Sequence, residues 1–113
     1  MTRITDLTFL KTFTGDNSDK MKKYMNMFIQ HCPGQLDLMN NHLQSQNYDA
    51  LRATAHALKP QITYMGIKQG EDLIKGIEHR AGNKEEVEKL PVLLNEFSDI
   101  CRKAIEELRQ EAS

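Results

Sequence analysis

The sequence predicts an all-α domain, an antiparallel up-down-up-down four-helix bundle with a short extra N-terminal helix. Apolar residues recur every three or four positions along most of the chain, which is the period of an amphipathic helix. No segment alternates apolar and polar residues in the way of a half-buried strand. The breaks between helical segments are short, and short connections favour antiparallel neighbours. A length of 113 residues fits one domain, which we assign to residues 1–113.

A polar break separates the first two helices. The first helix is predicted over 6–13, and the break at 15–18 supplies N-cap residues for the second, which is predicted over about 18–45. Pro33 lies inside the second helix, and we expect a kink there because the apolar face continues on both sides; a break is the alternative. The predicted packing residues are Leu7, Phe9, Leu10 and Phe13 in the first helix and Met21, Met25, Phe28, Cys32, Leu36, Met39 and Leu43 in the second.

Gly66 is placed to end the third helix, which is predicted over about 48–65. The fourth helix is predicted over about 68–80, and Gly82-Asn83 is expected to form the turn that follows it. The predicted inward residues are Leu51, Ala55, Leu58, Ile62 and Met65 in the third helix and Leu73, Ile74 and Ile77 in the fourth.

Pro91 leaves two starts open for the last helix. The helix either begins at Lys84 and kinks at the proline, or begins near Lys89 with Pro91 in its first turn, where proline is favoured. Its apolar stripe consists of Val87, Leu90, Leu94, Phe97, Cys101, Ala104 or Ile105, and Leu108.

Composition argues against several classes of function. The formal net charge of −1 gives no strong attraction to nucleic acid or to an anionic membrane. No apolar run approaches the roughly 18 residues of a membrane span, and the N-terminus has no apolar signal segment. The two cysteines, Cys32 and Cys101, form no CxxC pair and fall on apolar stripes, so we interpret both as reduced core residues. These features together predict a cytoplasmic protein.

A metal site is the first hypothesis to test for histidines in a helical bundle. Di-iron bundles use Glu-x-x-His, with both ligands on one inward face. That motif is absent at all four histidines, and neither CxxC nor HExxH occurs, so no metal site is predicted. The residues three positions before the histidines are Phe28, Met39, Ala53 and Gly76.

His56 differs from the other histidines in its surroundings. It follows the stripe residue Ala55, which places it beside the core-facing line at the edge of solvent. Lys59 lies one turn later on the same face, and Arg52 and Thr63 extend this exposed strip. Flanking cations suit a neutral imidazole that awaits an anion, although an ordinary surface histidine is the alternative interpretation.

The run over 55–66, AHALKPQITYMG, resembles the signature of the histidine-containing phosphotransfer (HPt) domain. That signature has a phosphorylatable histidine, a lysine at +3, a small residue that is usually glycine at +4, and a glycine at +10. His56, Lys59 and Gly66 match it, whereas Pro60 replaces the usual glycine. The order and lengths of the helices also agree with the family bundle.

The resemblance implies reversible phosphoryl exchange between His56 and an aspartate of a partner. The partners would be response-regulator receiver domains and a sensor or hybrid histidine kinase. Mg²⁺ and most catalytic groups would belong to the receiver, with no cofactor bound by this chain. No GxxxxGK[ST] or GxGxxG phosphate cradle occurs, so we expect a covalent carrier rather than an enzyme. We expect a monomer.

Glu78 is placed by counting along the helices to reach His56. His56 lies ten residues before Gly66 and Glu78 twelve residues after it. On antiparallel helices the two lie roughly 15 and 18 Å from the turn, at nearly the same height. Glu78 is therefore predicted to accept a hydrogen bond from His56 Nδ1–H, as a Glu or Gln does at this offset in the family. A solvated helix carboxylate is the alternative interpretation.

Lys59 would then offset the charge of the phosphoryl oxygens. The docking surface would include compact residues around the histidine and exposed parts of the second and N-terminal helices. Pro60 removes the N–H that would bond the His56 carbonyl, so a local kink is expected there. The predicted docking residues are Arg52, Ala53, Ala57, Pro60 and Thr63.

Three other interpretations remain in view. A helical interaction domain with the same fold would not transfer phosphate, a metal-binding bundle is disfavoured by ligand spacing, and a nucleic-acid binder is disfavoured by charge. His31, His42 and His79 have no lysine at +3. His79, at a helix end, is explained more simply by the helix dipole.

Overall fold

The computed structural model describes residues 3–112, which form five α-helices and no strand. The all-α prediction is confirmed. α2 packs against α3 and α5, and α4 packs against the same two helices, so these four close into a bundle with α1 outside it. The helices are α1 (Thr8–Phe13), α2 (Ser18–Gln44), α3 (Tyr48–Tyr64), α4 (Lys68–Asn83) and α5 (Leu90–Ala112), and a short 3-10 turn (Val87–Lys89) precedes α5.

The predicted apolar stripes form the core between the four bundle helices. Every predicted residue of the α3 stripe is buried, and the middle of the α2 stripe is buried as well. Cys32 and Cys101 are buried and free, as predicted, and they lie on two helices that pack together, α2 and α5. A hydrogen bond with the Cys32 thiol and burial both raise the pKa of Cys101, so this thiol stays protonated. None of the helices in residues 3–112 is long and apolar enough to span a bilayer.

Two asparagines set the starts of α2 and α3. The Asn17 side chain accepts a hydrogen bond from the Lys20 N–H at 3.0 Å, and the Asn47 side chain accepts one from the Ala50 N–H at 3.2 Å. Each side chain satisfies a backbone donor that has no partner inside its helix. The break predicted over 15–18 therefore does cap α2, through Asn17.

The prolines interrupt neither α2 nor α3. α2 continues through Pro33, which excludes the predicted alternative of a break, and α3 continues through Pro60. α5 begins at Leu90 with Pro91 as its second residue, so the later of the two predicted starts is confirmed. The kinks expected at Pro33 and Pro60 stay predictions.

The turn predicted at Gly82-Asn83 is wrong. α4 extends to Asn83, and the chain turns after it, where Lys84 has a φ of 55°. The Arg80 carbonyl accepts hydrogen bonds from the N–H groups of Lys84 and Glu85, which closes the helix around this left-handed residue. Lysine is an uncommon residue for that conformation, whereas Gly82 is a common one. The presence of a glycine at position 82 therefore led to a turn predicted two residues before its actual position at Lys84.

α1 packs less deeply than its sequence predicted. It begins at Thr8, and among its residues only Leu10 is buried. Phe9 and Phe13, predicted as packing residues, are 49% and 55% exposed. A six-residue helix lying outside the bundle has one inward side, which Leu10 occupies, so the two rings remain on the surface.

Candidate functional site

His56 lies near the middle of α3, on the side that faces α4 and solvent. The preceding residue, Ala55, is fully buried in the core. One residue corresponds to about 100° around a helix, so His56 lies beside the buried stripe. Its side chain is 67% exposed. The ring is therefore held at the bundle surface with one edge toward α4.

Glu78 of α4 lies opposite this ring. His56 Nδ1 is 3.2 Å from Glu78 Oε2 and 3.3 Å from Oε1. The carboxylate can accept a hydrogen bond from Nδ1–H, which leaves the lone pair of the neutral ring on Nε2. The structure therefore brings together the two residues that counting from Gly66 had paired.

Lys59 contacts the same carboxylate. Its Nζ donates to Glu78 Oε1 at 3.1 Å and to Oε2 at 3.2 Å. Sequence reasoning had placed Lys59 beside His56 but had not paired it with Glu78. The spacing of three residues puts His56 and Lys59 on one face, so a carboxylate across the helix interface can reach both. The site is a three-residue cluster with Glu78 at its centre.

The environment of Glu78 keeps its carboxyl group ionised. Partial burial raises the pKa of Glu78, but hydrogen bonds from Lys59 and His56 and the Lys59 charge outweigh that effect. The net pKa is below the ordinary value of 4.5. Glu78 is therefore a carboxylate at neutral pH and accepts hydrogen bonds from both neighbours.

The five predicted docking residues are all exposed on α3 around His56. Arg52 extends over Gly82 of α4, where a Cβ atom would lie 2.7 Å from Arg52 Cδ. Ala53 and Ala57, the exposed α3 residues on either side of His56, have short side chains that leave the ring open to a partner. The exposed set is Arg52, Ala53, Ala57, Pro60 and Thr63.

Gly66 ends α3, as predicted, and has a φ of 65°. A Cβ atom at this position would overlap the backbone carbonyl of Asp6. Glycine is required here for the left-handed conformation and for the close approach of the N-terminal segment. Gly66 contributes to the site indirectly. It forms the turn between α3 and α4, and the two helices leave this turn with His56 and Glu78 at nearly the same height.

Four aromatic rings, which we call the aromatic cluster, extend the exposed surface beyond His56. Phe9 and Phe13 of α1 each stack on Tyr64 of α3, with centroid distances of 5.5 and 5.7 Å. Tyr24 of α2 meets Phe13 edge-on at 5.7 Å. Tyr64 follows His56 by two helical turns, about 12 Å along α3. The spacing of four between the phenylalanines could have indicated a shared face, but not that the face stays exposed.

The remaining histidines lack a comparable site. His31 lines a small cavity of about 160 Å³ between α2 and α3. His79 Nδ1 lies 3.0 Å from Asn83 Nδ2 near the end of α4. Within residues 3–112, His56 is the only histidine paired with a carboxylate, and no group of metal-ligating side chains is large enough to hold an ion.

Comparison with known proteins agrees with this fold. The family model described as Hpt domain matches residues 23–111, which contain all three residues of the site. Among solved structures, the chain is similar to histidine-containing phosphotransfer protein B (HptB) from Pseudomonas aeruginosa PAO1, with a TM-score of 0.88 and 21% identity. The alignment covers 99% of this chain and 96% of that one, and at this identity it concerns the fold. No curated protein matches significantly.

Proposed function

Because the chain belongs to the Hpt domain family, whose members are histidine phosphotransfer intermediates of two-component signalling, we propose that His56 is the residue that carries the phosphoryl group. The observation that supports this choice is the cluster of His56, Lys59 and Glu78. It combines an exposed imidazole, a carboxylate that fixes its tautomer and a nearby cation.

The proposed transfer begins with a neutral imidazole. Nδ1–H donates to Glu78, and the Nε2 lone pair attacks the phosphorus of an aspartyl phosphate on a receiver domain. The Nε2–P bond forms as the P–O bond breaks, and the receiver aspartate leaves as a carboxylate. The ring becomes cationic during the step, and the Glu78 carboxylate stabilises that charge. Transfer onward to another receiver is the reverse of this step.

Lys59 would change partners during the reaction. In the free protein its ammonium group is bound to Glu78. A phosphoryl group on Nε2 brings additional negative oxygens to the same face, and Lys59, 31% exposed, can turn toward them. Its role would be electrostatic, because it stays cationic and neither accepts nor donates a proton.

Hpt domains interact with receiver domains and histidine kinases in phosphorelays. We propose that the partner of this chain docks on α3 around His56 and on the neighbouring aromatic cluster. Exposed alanines let the partner approach the ring, and exposed aromatic rings are typical anchors of protein interfaces. The docking residues are Arg52, Ala53, Ala57, Pro60 and Thr63, with Phe9 and Phe13 added.

Hpt domains are phosphotransfer carriers rather than classical enzymes. For this chain we propose that it acts as a cytoplasmic monomer with no ATP site and no cofactor of its own. Mg²⁺ would be bound by the receiver. Size-exclusion chromatography with light scattering tests the monomer, and titration of the isolated protein with Mg²⁺, followed by NMR, tests whether this chain binds the metal.

The test is transfer from receiver domains phosphorylated with acetyl phosphate. We expect at least one of a panel of receivers to label the unmodified protein and not His56→Gln, while His42→Gln, in the last turn of α2 and away from the aromatic cluster, is labelled normally. Labelling that survives His56→Gln would mean that another residue is the acceptor. A folded protein that no receiver labels would favour the interaction-domain alternative.

A further inference from the structure

The N-terminal segment, residues 3–7, which we call the strap, is bound to the end of α5 by Glu107. Glu107 Oε2 accepts a hydrogen bond from the Ile4 N–H at 2.7 Å. Its Oε1 accepts one from the Thr5 N–H at 3.0 Å and one from Thr5 Oγ1 at 2.9 Å. Arg3 lies 3.7 Å from the same carboxylate. One side chain thus fixes two consecutive backbone groups of the strap.

The other end of the strap leads directly into α1. The Asp6 N–H donates to the Met65 carbonyl at 3.2 Å, next to the glycine turn after α3. Asp6 Oδ1 then accepts hydrogen bonds from the Thr8 N–H and Thr8 Oγ1, at 3.0 and 2.6 Å. The start of α1 is therefore built on the strap, and the strap is held between α5 and the end of α3.

α1 has little buried surface of its own to fix its position. A helix of six residues is far below the length that is stable alone in water, and this one buries a single side chain, Leu10. Its exposed side carries Phe9 and Phe13, half of the aromatic cluster. The orientation of these rings consequently depends on what fixes the ends of α1.

We propose that Glu107 is a positioning residue for partner docking: through the strap and α1, it holds Phe9 and Phe13 in the surface that a receiver contacts. The inference rests on the proposed function, because it takes the aromatic cluster as part of the docking surface. Glu107 touches neither the partner nor the reacting atoms. It acts on the complex and not on the reactivity of His56.

The test variant is Glu107→Gln, which keeps the shape of the side chain. It replaces one acceptor oxygen with an NH2 donor, and that donor would face a backbone N–H of the strap. The matched control is Glu106→Gln on the same helix, where the carboxylate is exposed and contacts Arg109 at 3.9 Å. Thr5→Val removes a single hydrogen bond to Glu107 and provides a milder second variant.

Three measurements compare these variants. With the receiver that labels the unmodified protein fastest, Glu107→Gln is expected to raise KM about tenfold, a loss typical of an interface anchor. Phosphorylation of His56 by phosphoramidate, which needs no docking, is expected to keep its rate. Amide hydrogen exchange over residues 8–13 is expected to become faster. Thr5→Val should change KM in the same direction by less, and Glu106→Gln should match the unmodified protein.

A double-mutant cycle separates positioning from general destabilisation. In a Phe9→Ser, Phe13→Ser background the rings are absent, so adding Glu107→Gln is expected to raise KM no further. A rise in KM that persists in this background, or unchanged exchange in residues 8–13, would overturn the inference. If phosphoramidate labels His56 and no receiver does, the proposed docking of a receiver is wrong. Hydrogen exchange in residues 8–13 then still tests whether Glu107 holds α1 in place.

Discussion

Glu78 serves two neighbours with one carboxylate, and this sharing defines the site at the scale of single residues. Its oxygens lie within hydrogen-bond distance of both His56 Nδ1 and Lys59 Nζ. The Glu78 carboxylate and the Lys59 ammonium group are both charged, and hydrogen bonds that involve charged groups are stronger than neutral ones. Glu78 therefore restrains both the His56 ring and the Lys59 ammonium group, which in the proposed reaction would bind the phosphoryl oxygens.

Replacing Glu78 should separate its effect as a hydrogen-bond acceptor from its effect as a negative charge. Glu78→Gln keeps an acceptor for Nδ1–H but loses the charge, so the phosphoramidate reaction at His56 should slow only a few-fold. Glu78→Ala loses the acceptor as well, and we expect a decrease of about tenfold or more, which corresponds to roughly 1.4 kcal/mol or more. Both rates are measured by quenching the labelling reaction at timed intervals. Asp72→Asn on the same helix is the control, and equal rates for all variants would contradict a role for Glu78.

The sequence was sufficient to pair His56 with Glu78 but not to pair Lys59 with Glu78. The first pair follows from counting residues along two antiparallel helices from Gly66, because helix rise is constant. The second depends on which rotamers a long side chain adopts, and helical spacing does not determine them. Residue positions were therefore predictable at this site, whereas the sharing of one carboxylate was not.

At the scale of helices, α3 carries His56, the proposed phosphoacceptor, in spite of Pro60. Proline supplies no N–H to the His56 carbonyl, and its ring crowds that carbonyl. α3 nonetheless continues to Tyr64, held by a stripe of buried residues on its inner side. Tertiary packing thus outweighs an unfavourable residue in the helix interior.

Pro60→Ala is expected to stabilise the protein. Proline is less favourable than alanine by about 3 kcal/mol inside a helix, a net value that already includes its restriction of the unfolded chain. The free energy of unfolding should therefore rise by up to about 3 kcal/mol, measured by urea denaturation. Pro33→Ala in α2 is the matched variant and should give a similar gain. A loss of stability in both variants would show that the helices had adapted to their prolines.

The ends of helices were harder to derive from sequence than their inner faces. The stripes of α2, α3 and α5 were predicted because burial repeats with the helical period. The end of α4 was missed because Lys84 takes the left-handed conformation that glycine usually supplies. The exposed rings of α1 were missed because apolar periodicity does not distinguish a core from an exposed patch.

At the scale of the whole molecule, an elongated bundle of 42 × 27 × 20 Å presents His56, the proposed phosphoacceptor, on an outer face. The core lies between four helices, and the site uses only the seam between α3 and α4. A carrier needs its acceptor accessible to successive partners, and an exposed imidazole on a rigid helix satisfies that need. The strap connects the end of α5 to α1, and thereby to the aromatic cluster.

Acid should destabilise the protein through its lowered carboxyl pKa values. Burial raises the pKa of Glu78 and of Glu107, but their hydrogen bonds outweigh burial, and both values lie below the ordinary 4.5. Each group therefore stabilises the fold fully above pH 4.5 and loses this contribution as pH falls through its folded pKa. The contribution of these two carboxylates, measured by urea denaturation, should stay constant between about pH 7 and 5 and decline below that range. Glu107→Gln should decline less steeply, and an identical slope would contradict the bonding of Glu107.

The most direct measurement of the central claim is the position of the phosphoryl group within the protein. The unmodified protein is phosphorylated by a receiver domain, and the product is studied by peptide mapping under basic conditions and by 31P and 15N NMR. We expect one acid-labile phosphoryl group, on His56, bound to Nε2, with Nδ1 still protonated toward Glu78. A phosphoryl group on another residue, or on His56 Nδ1, would contradict the claim.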